Sequence, residues 1–425
     1  MFGSLMNIWR VPDLRRRLVF TFLIIALYRV GSWLPTPGVN TSSLRTFFGQ
    51  GANGTILNVL NIFAGGALAN LSLFALGIMP YITASIILQL MQTVVPSLEK
   101  LSKEGESVYK KITQYTRYLT VILAAFQSAG YVFLFHNGSA IGANDLLPNL
   151  TVGRFILIVT TLTAGTTLLM WMGELITKRG IGNGISLLIF ASILSAAPAG
   201  VTAWINGGTL ERLFFPILAI SVVVVVVFVQ EGQRRIPVQY ARRQLGNRQT
   251  TGGSTYMPLR VNMAGVIPVI FAAAIMALPP TLAQFVPSWT GFVNRNFLPT
   301  SWIYLAVEAA LIIVFTYFYT SVQFNPVDQA DNLRKNGGYI PGIRPGPPTA
   351  AYLDRVLQRL TLFGAIFLAS IAVAPSIFIR EFGFSQATSR ALGGTSVLIV
   401  VGVALDTMRQ MESQMMMRHY EGFLR

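Results

Sequence analysis

A chain of 425 residues that is 53% hydrophobic and only 11% charged has too much apolar surface for one soluble core, and reads as a protein that crosses a bilayer many times. Its formal charge of +16 therefore asks where the cations lie before it suggests nucleic acid. With no cysteine, and with His136 and His419 far apart near span ends, nothing points to a disulfide framework, a thiolate metal site or histidine catalysis.

The amino terminus, MFGSLMNIWRVPDLRRR, reads as a basic amphipathic lead-in and not as a cleavable signal peptide. Ten apolar runs follow, at about 18–34, 72–95, 115–135, 152–176, 184–205, 213–229, 263–286, 302–324, 357–379 and 392–408. The second is peculiar. Residues 58–95, NVLNIFAGGALANLSLFALGIMPYITASIILQLMQTVV, would reach about 57 Å as one straight helix, against roughly 30 Å of hydrocarbon. Gly65 and Gly66 offer a break and Pro80 weakens the helix after it. The expected arrangement is a short half-inserted helix and then a full span over 72–95. Irregular backbone at membrane depth is tolerated only when buried in protein or facing water, so the segment predicts a path through the membrane.

Ten spans place both termini on one side. With the basic amino terminus in the cytoplasm, 25 of the 32 lysines and arginines fall inside. The 7 outside are Arg29, Arg45, Arg154, Arg212, Arg295, Arg380 and Arg390. Two internal loops are long, 231–260 and 325–355, and both are rich in Gly, Pro and polar residues. Topology needs only a few charges, so loops of this length suggest shaped protrusions that dock a partner, with attraction to anionic lipid or simple disorder as the alternative. The alternation in RRIPVQYARR predicts a hairpin in the first. Five spans precede Asn206 and five follow, so any structural repeat must be inverted, dividing the chain into halves 1–206 and 207–425.

Ion-coupled transport needs titratable or oxygen-rich groups at mid-depth. Here Glu308, Arg29 and Asp406 each fall near a span end, where local pairing or snorkelling accounts for them. HExxH, GxSxG and a Walker-type loop are absent, and GIGNG after Arg179 lacks the Lys-Ser/Thr of a P-loop, so the chain reads as non-enzymatic and without cofactor. What mid-depth does hold is isoleucine. Ile78 and Ile82 share a helix face, and Ile185 and Ile189 repeat the spacing after GIGNG. Ordinary packing explains such pairs, but beside broken helices they also suit an apolar collar that closes a watery funnel by dewetting.

Long motifs then carry a resemblance. Residues 73–90, LFALGIMPYITASIILQL, and 171–190, WMGELITKRGIGNGISLLIF, resemble two signature segments of the bacterial SecY family of protein-conducting channels. In order with them stand LPTPGVN (34–40), KEGESVYKKITQYTRY (103–118), VNMAGVIPVIFA (261–272), NPVDQADNLRKNGGYIPGIRPG (325–346) and GGTSVLIVV (393–401). The resemblance implies an all-α polytopic fold, two inverted five-helix halves around a central pore. It implies a pore ring of Ile78, Ile82, Ile185, Ile189, Ile270 and Ile399, and a plug over 56–68 that includes Phe63, Gly65 and Gly66. It implies a lateral gate at spans two, three, seven and eight, with Gln89, Gln127 and Asn262 on it, and docking through Arg344, Arg242, Arg243 and Arg248. The implied partners are SecE and SecG subunits, the motor ATPase SecA, the ribosome and signal-bearing secretory or membrane proteins, in the bacterial plasma membrane. The carboxyl tail, ending HYEGFLR, is short for the family. Rival readings are an ion-coupled transporter of a small solute, and a membrane scaffold with no pathway.

Overall fold

The computed structural model describes residues 11–39, 44, 48, 61, 63–95, 106–136, 147, 150–240, 244–245, 248–249, 254–283, 287–297, 301–382 and 394–421. The helices of the first half are α1 (Pro12–Gly31), α2 (Met79–Val94), α3 (Glu106–His136), α4 (Val152–Arg179) and α5 (Gly184–Ile205). Those of the second are α6 (Thr209–Glu231), α7 (Ile267–Met276), α8 (Leu278–Ala283), α9 (Pro287–Asn296), α10 (Trp302–Gln323), α11 (Pro326–Lys335), α12 (Pro347–Phe382) and α13 (Gly394–Glu421). Strands β1 (Gln233–Tyr240), β2 (Gln244–Leu245), β3 (Arg248–Gln249), β4 (Ser254–Arg260) and β5 (Gly338–Tyr339) occupy the two long loops.

Among the described residues six helical stretches are long and apolar enough to cross a bilayer: Lys111–His136, Val152–Arg179, Gly184–Ile205, Arg212–Glu231, Trp302–Lys335 and Pro347–Ile377. The other four predicted spans correspond to α1, α2 with the turns before it, the pair α7 and α8, and α13. Two expectations need correction. The helix expected over 72–95 begins only at Met79, because residues 64–78 run as successive turns. At 16 residues α2 is about 24 Å long, too short for the hydrocarbon layer by itself. The turns make up the difference, and they are buried in protein, with Leu68, Leu71 and Ser72 wholly covered. The run over 263–286 is likewise broken, ending α7 at Met276 before the Leu278-Pro-Pro start of α8.

Helices of each half pack mainly on one another. In the first, α3 lies between α2 and α4, α4 meets α5, and α1 crosses α4 and α5. In the second, α10 and α12 form the longest contact, with α7, α13 and α6 around them. Between halves, α2 meets α7, α3 meets α8, and α5 meets α13. Approach is closest at Gly165 of α4, where a methyl group would collide with the Leu73 carbonyl. The threonines of α4 solve a polarity problem locally. Thr161, Thr163, Thr166 and Thr167 each donate to the carbonyl four residues back, so no hydroxyl there enters lipid unpaired. On α6 the opposite rule marks the lipid face, where Leu213, Ile217, Ile220, Val224 and Phe228 are exposed at helical spacing.

The predicted hairpin is β1 against β4, antiparallel, with Ile236 opposite Met257. β5, from the other long loop, pairs with the far edge of β1, so the two loops make one three-stranded sheet in the order β4-β1-β5. Ile236, Leu259, Phe324, Ile340, Leu353 and Leu357 give that extension its own small core, separate from the main one.

Candidate functional site

The site is best followed along α5. Asn183 caps this helix, its Oδ1 accepting from the amides of Ile185 and Ser186, which gives GIGNG a structural role as turn and cap. Asn183 and Ser186 line a cavity of about 430 Å³ whose other walls include Gln230, Arg260, Asn262 and Asp406. Three residues further along α5 is Ile189, and three beyond that is Ser192, which meets Gly65 of the irregular segment. Ser186 to Ser192 is only about 9 Å of helix.

The first two of these layers recur on two other helices. Ile267 of α7 and Val403 of α13 line the cavity, and one turn deeper on each lie Ile270 and Ile399. Ile78, Ile82, Ile189, Ile270 and Ile399 are buried within one continuous apolar cluster, and Ile185 packs against it. Ile78 is the N-cap of α2, so the turns end where this cluster begins. A polar cavity, a buried apolar layer and a buried irregular segment thus follow one another within a few helical turns.

The irregular segment is tied in place. Thr36 donates from both its amide and its hydroxyl to the Leu71 carbonyl, at 3.0 and 2.6 Å. That pair of bonds holds Leu71 at φ +39°, an uncommon region for a side chain of this kind. Gly65 and Gly66 have φ +67° and +82°, where glycine costs least. Phe63 is half-buried and packs against the main cluster. Residues 56–60 and 62 of the expected plug lie outside the described residues; from Ala64 onward the chain is turns and not the helix expected there.

The remaining predicted residues fall in two places. Gln89 on α2 and Gln127 on α3 stand on the two helices that α7 and α8 contact from the other half. Gln89 Nε2 lies 3.5 Å from Ser85 Oγ on its own helix, and Gln127 is buried. Asn262 bonds within its own stretch of chain. Its Nδ2 donates to the Gly265 carbonyl at 2.9 Å, while Oδ1 has no partner among the described residues. Arg344 is exposed in the turn after β5, and its carbonyl accepts from Thr349 Oγ1 at 2.8 Å. Arg248 lies in β3; Arg242 and Arg243 lie outside the described residues.

Sequence reasoning missed the cavity wall formed by α6 and α13. Arg409 donates to the Gln230 carbonyl at 2.8 Å and to Glu231 at 2.9 Å, and reaches Asp406 at 3.4 Å. Only the spacing of Asp406 and Arg409 on one face hinted at it.

These features define a multi-span helical membrane protein in which a buried isoleucine cluster lies between a polar cavity and a tethered irregular segment. The SecY family model matches residues 72–408, and the chain belongs to the SecY family. A protein translocase subunit SecY from Mycobacterium bovis is 46% identical over 441 residues, covering all of both chains. Among solved structures, one described as a protein conducting channel superposes with a TM-score of 0.65 at 19% identity, covering 96% of each chain. Sec61 in a canine ribosome-channel complex gives a TM-score of 0.61 at 18% identity, again covering 96% of each. At those identities the structures share the fold.

Proposed function

We propose that the chain is a passive, gated channel that carries unfolded secretory polypeptides across the bacterial plasma membrane and releases apolar segments sideways into lipid. The observation that carries this reading is the layer order along α5, polar cavity, buried isoleucine, then the irregular segment, with the first two layers repeated on α7 and α13. A small solute bound for coupled transport would need a polar mid-depth site, and in this layer the named groups are isoleucines. Ile78, Ile82, Ile185, Ile189, Ile270 and Ile399 act as a collar. They offer an ion nothing in exchange for its hydration shell, and they offer a passing chain no hydrogen bond to stick to. β-branching stiffens each of them.

Residues 56–68, with Phe63, Gly65 and Gly66 at their carboxyl end, serve as the plug on the far side. The halves 1–206 and 207–425 part at α2 against α7 and α3 against α8, near Gln89, Gln127 and Asn262. Through that seam a signal segment reaches lipid, driven by about 25 cal/mol for each Å² of apolar surface it buries. The β4-β1-β5 sheet and the turn after β5 face the cytoplasm with both termini, and there Arg344, Arg242, Arg243 and Arg248 meet SecA or the ribosome. SecE and SecG complete the assembly. No bond is made or broken by the chain itself, so opening is a population shift driven by signal and partner binding.

A stalled secretory chain carrying a photo-crosslinker tests this directly. Placed mid-membrane, the probe should label Ile82 and Ile189 and spare the lipid-facing Ile217 and Phe228. Labelling of the lipid face alone would overturn the reading.

A further inference from the structure

The base of the irregular segment is gripped by two side chains of α1, one of them braced from α5. Arg29 of α1 donates from Nη1 to the Gly65 carbonyl at 3.0 Å. Tyr28, the preceding residue, donates toward the Ala64 carbonyl at 3.2 Å and lies 2.6 Å from Ser192 Oγ of α5. Ser192 commits its own hydrogen to the Leu188 carbonyl at 2.8 Å, so its oxygen is left to accept from Tyr28. One phenolic proton is therefore divided between Ser192 and Ala64, and the guanidinium supplies the stronger, charge-assisted bond. The tyrosine ring is positioned separately, stacked on Phe74 at 5.8 Å between centroids.

Two consecutive carbonyls are held, so recognition is of main chain and not of plug side chains. It does require glycine at position 65. A Cβ there would lie 2.6 Å from the Tyr28 hydroxyl and 3.2 Å from Ser192 Cα, on a backbone already at φ +67°. Position matters as well. Tyr28 and Ser192 are buried, and Ser192 lies just beyond the isoleucine layer on α5. Releasing the segment leaves the Arg29 guanidinium and the Ala64 and Gly65 carbonyls without these partners until water arrives, and water arrives only if the waist has widened. Seated plug and dry waist then support each other.

We propose that Tyr28, Arg29 and Ser192 form a latch that sets how often the plug leaves its seat, acting as positioning residues on the Ala64–Gly65 carbonyls. This rests on the gated-channel reading above. A latch of a few weak bonds suits a gate that a signal segment must open, because each bond can be broken singly.

The test is resting anion efflux from proteoliposomes holding the purified full-length chain with its partner subunits and no substrate. Tyr28→Phe keeps the ring and removes the proton, and should raise the unsealed fraction about fivefold. Arg29→Met keeps the stem and removes the donors, and should raise it on the order of tenfold. Arg29→Lys restores a donor and should recover most of the seal, which a merely misfolded channel would not do. Deletion of 56–68 is measured alongside. Wild-type efflux from Tyr28→Phe and Arg29→Met, beside a leaking deletion, overturns the latch and leaves the channel reading standing. A tight deletion variant overturns the gated-channel reading, and the latch with it. Leak from Arg29→Met that Arg29→Lys fails to reduce also overturns the latch.

Discussion

Arg117 of α3 and Glu174 of α4 make a two-pronged pair, Nε to Oε1 at 2.8 Å and Nη2 to Oε2 beside it. The two partners are not equivalent. The glutamate side chain is 13% exposed and the arginine 40%, and the other cation on the glutamate is Lys178 at 3.8 Å, itself 68% exposed. Arg117→Met should therefore strand a mostly buried carboxylate with one loose, solvated partner. A fully buried broken pair costs about 3–5 kcal/mol; with one partner this exposed, about 2 is expected. Glu174→Gln leaves a guanidinium already half in water and keeps an amide oxygen to accept one bond, at a cost of about 1 kcal/mol. The double variant should be about 1 kcal/mol more stable than the sum of the singles requires. Trp171, three residues before Glu174, reports unfolding by fluorescence as denaturing detergent is titrated into mixed micelles. If Glu174→Gln proves the more damaging single change, or if the effects simply add, the reasoning from unequal burial is refuted. Because α3 borders the proposed side exit, Arg117→Met should also admit weaker signal peptides.

Exchanging Ile82 and Ile189 together for serine should raise resting ion conductance in planar bilayers, since each hydroxyl gives water a foothold in the dry layer; unchanged conductance counts against the collar. Arg344→Glu should reduce motor- or ribosome-driven export in a reconstituted assay while leaving detergent stability within about 0.5 kcal/mol, because the turn is held through the Arg344 carbonyl and not its side chain. Full export by that variant removes Arg344 from the docking surface. Gly165→Ala should destabilise the protein by about 1–3 kcal/mol in the same detergent titration, since the Leu73 carbonyl it strikes belongs to backbone tied through the Leu73 amide to Leu34 at 2.9 Å. Wild-type stability would show that α4 and the segment are less closely apposed than described.

Periodicity and charge made most of the bundle readable, because a run of twenty apolar residues has one solution in lipid. Where the reading failed, backbone was doing something composition does not encode. Residues 72–78 are as apolar as any helix, yet they turn, and what holds them is distant: Thr36 on Leu71, Leu34 on Leu73, and the Pro35–Ser72 bridge. The isoleucine pairs were visible as spacing, but the layer order around them came from three helices meeting. Tyr28 and Ser192 gave no signal at all, since a tyrosine and a serine inside spans are unremarkable until their separation of 164 residues closes to 2.6 Å. The β1–β4 hairpin was legible from alternation; that β5 joins it was not, because a two-residue strand has no pattern to read.

That third strand changes what the two long loops can do. Had the loops been separate, a partner pulling on one would deform only a tether. Joined in one sheet with a shared apolar core against α12, they form one packed body. Its attachment to the bundle is short: β1 starts one residue after Gly232, which ends α6, and the Gln230 carbonyl in that last turn is held by Arg409 of α13. Arg409 sits ten residues, under three turns, from Ile399 on the same helix. A displacement of the sheet thus has a short route to Ile399 of the proposed waist, through two hydrogen bonds and a helix. Arg409→Met should therefore leave partner binding to the sheet intact yet weaken its effect on conductance. If partner binding still opens the channel fully in that variant, force reaches the waist by another route.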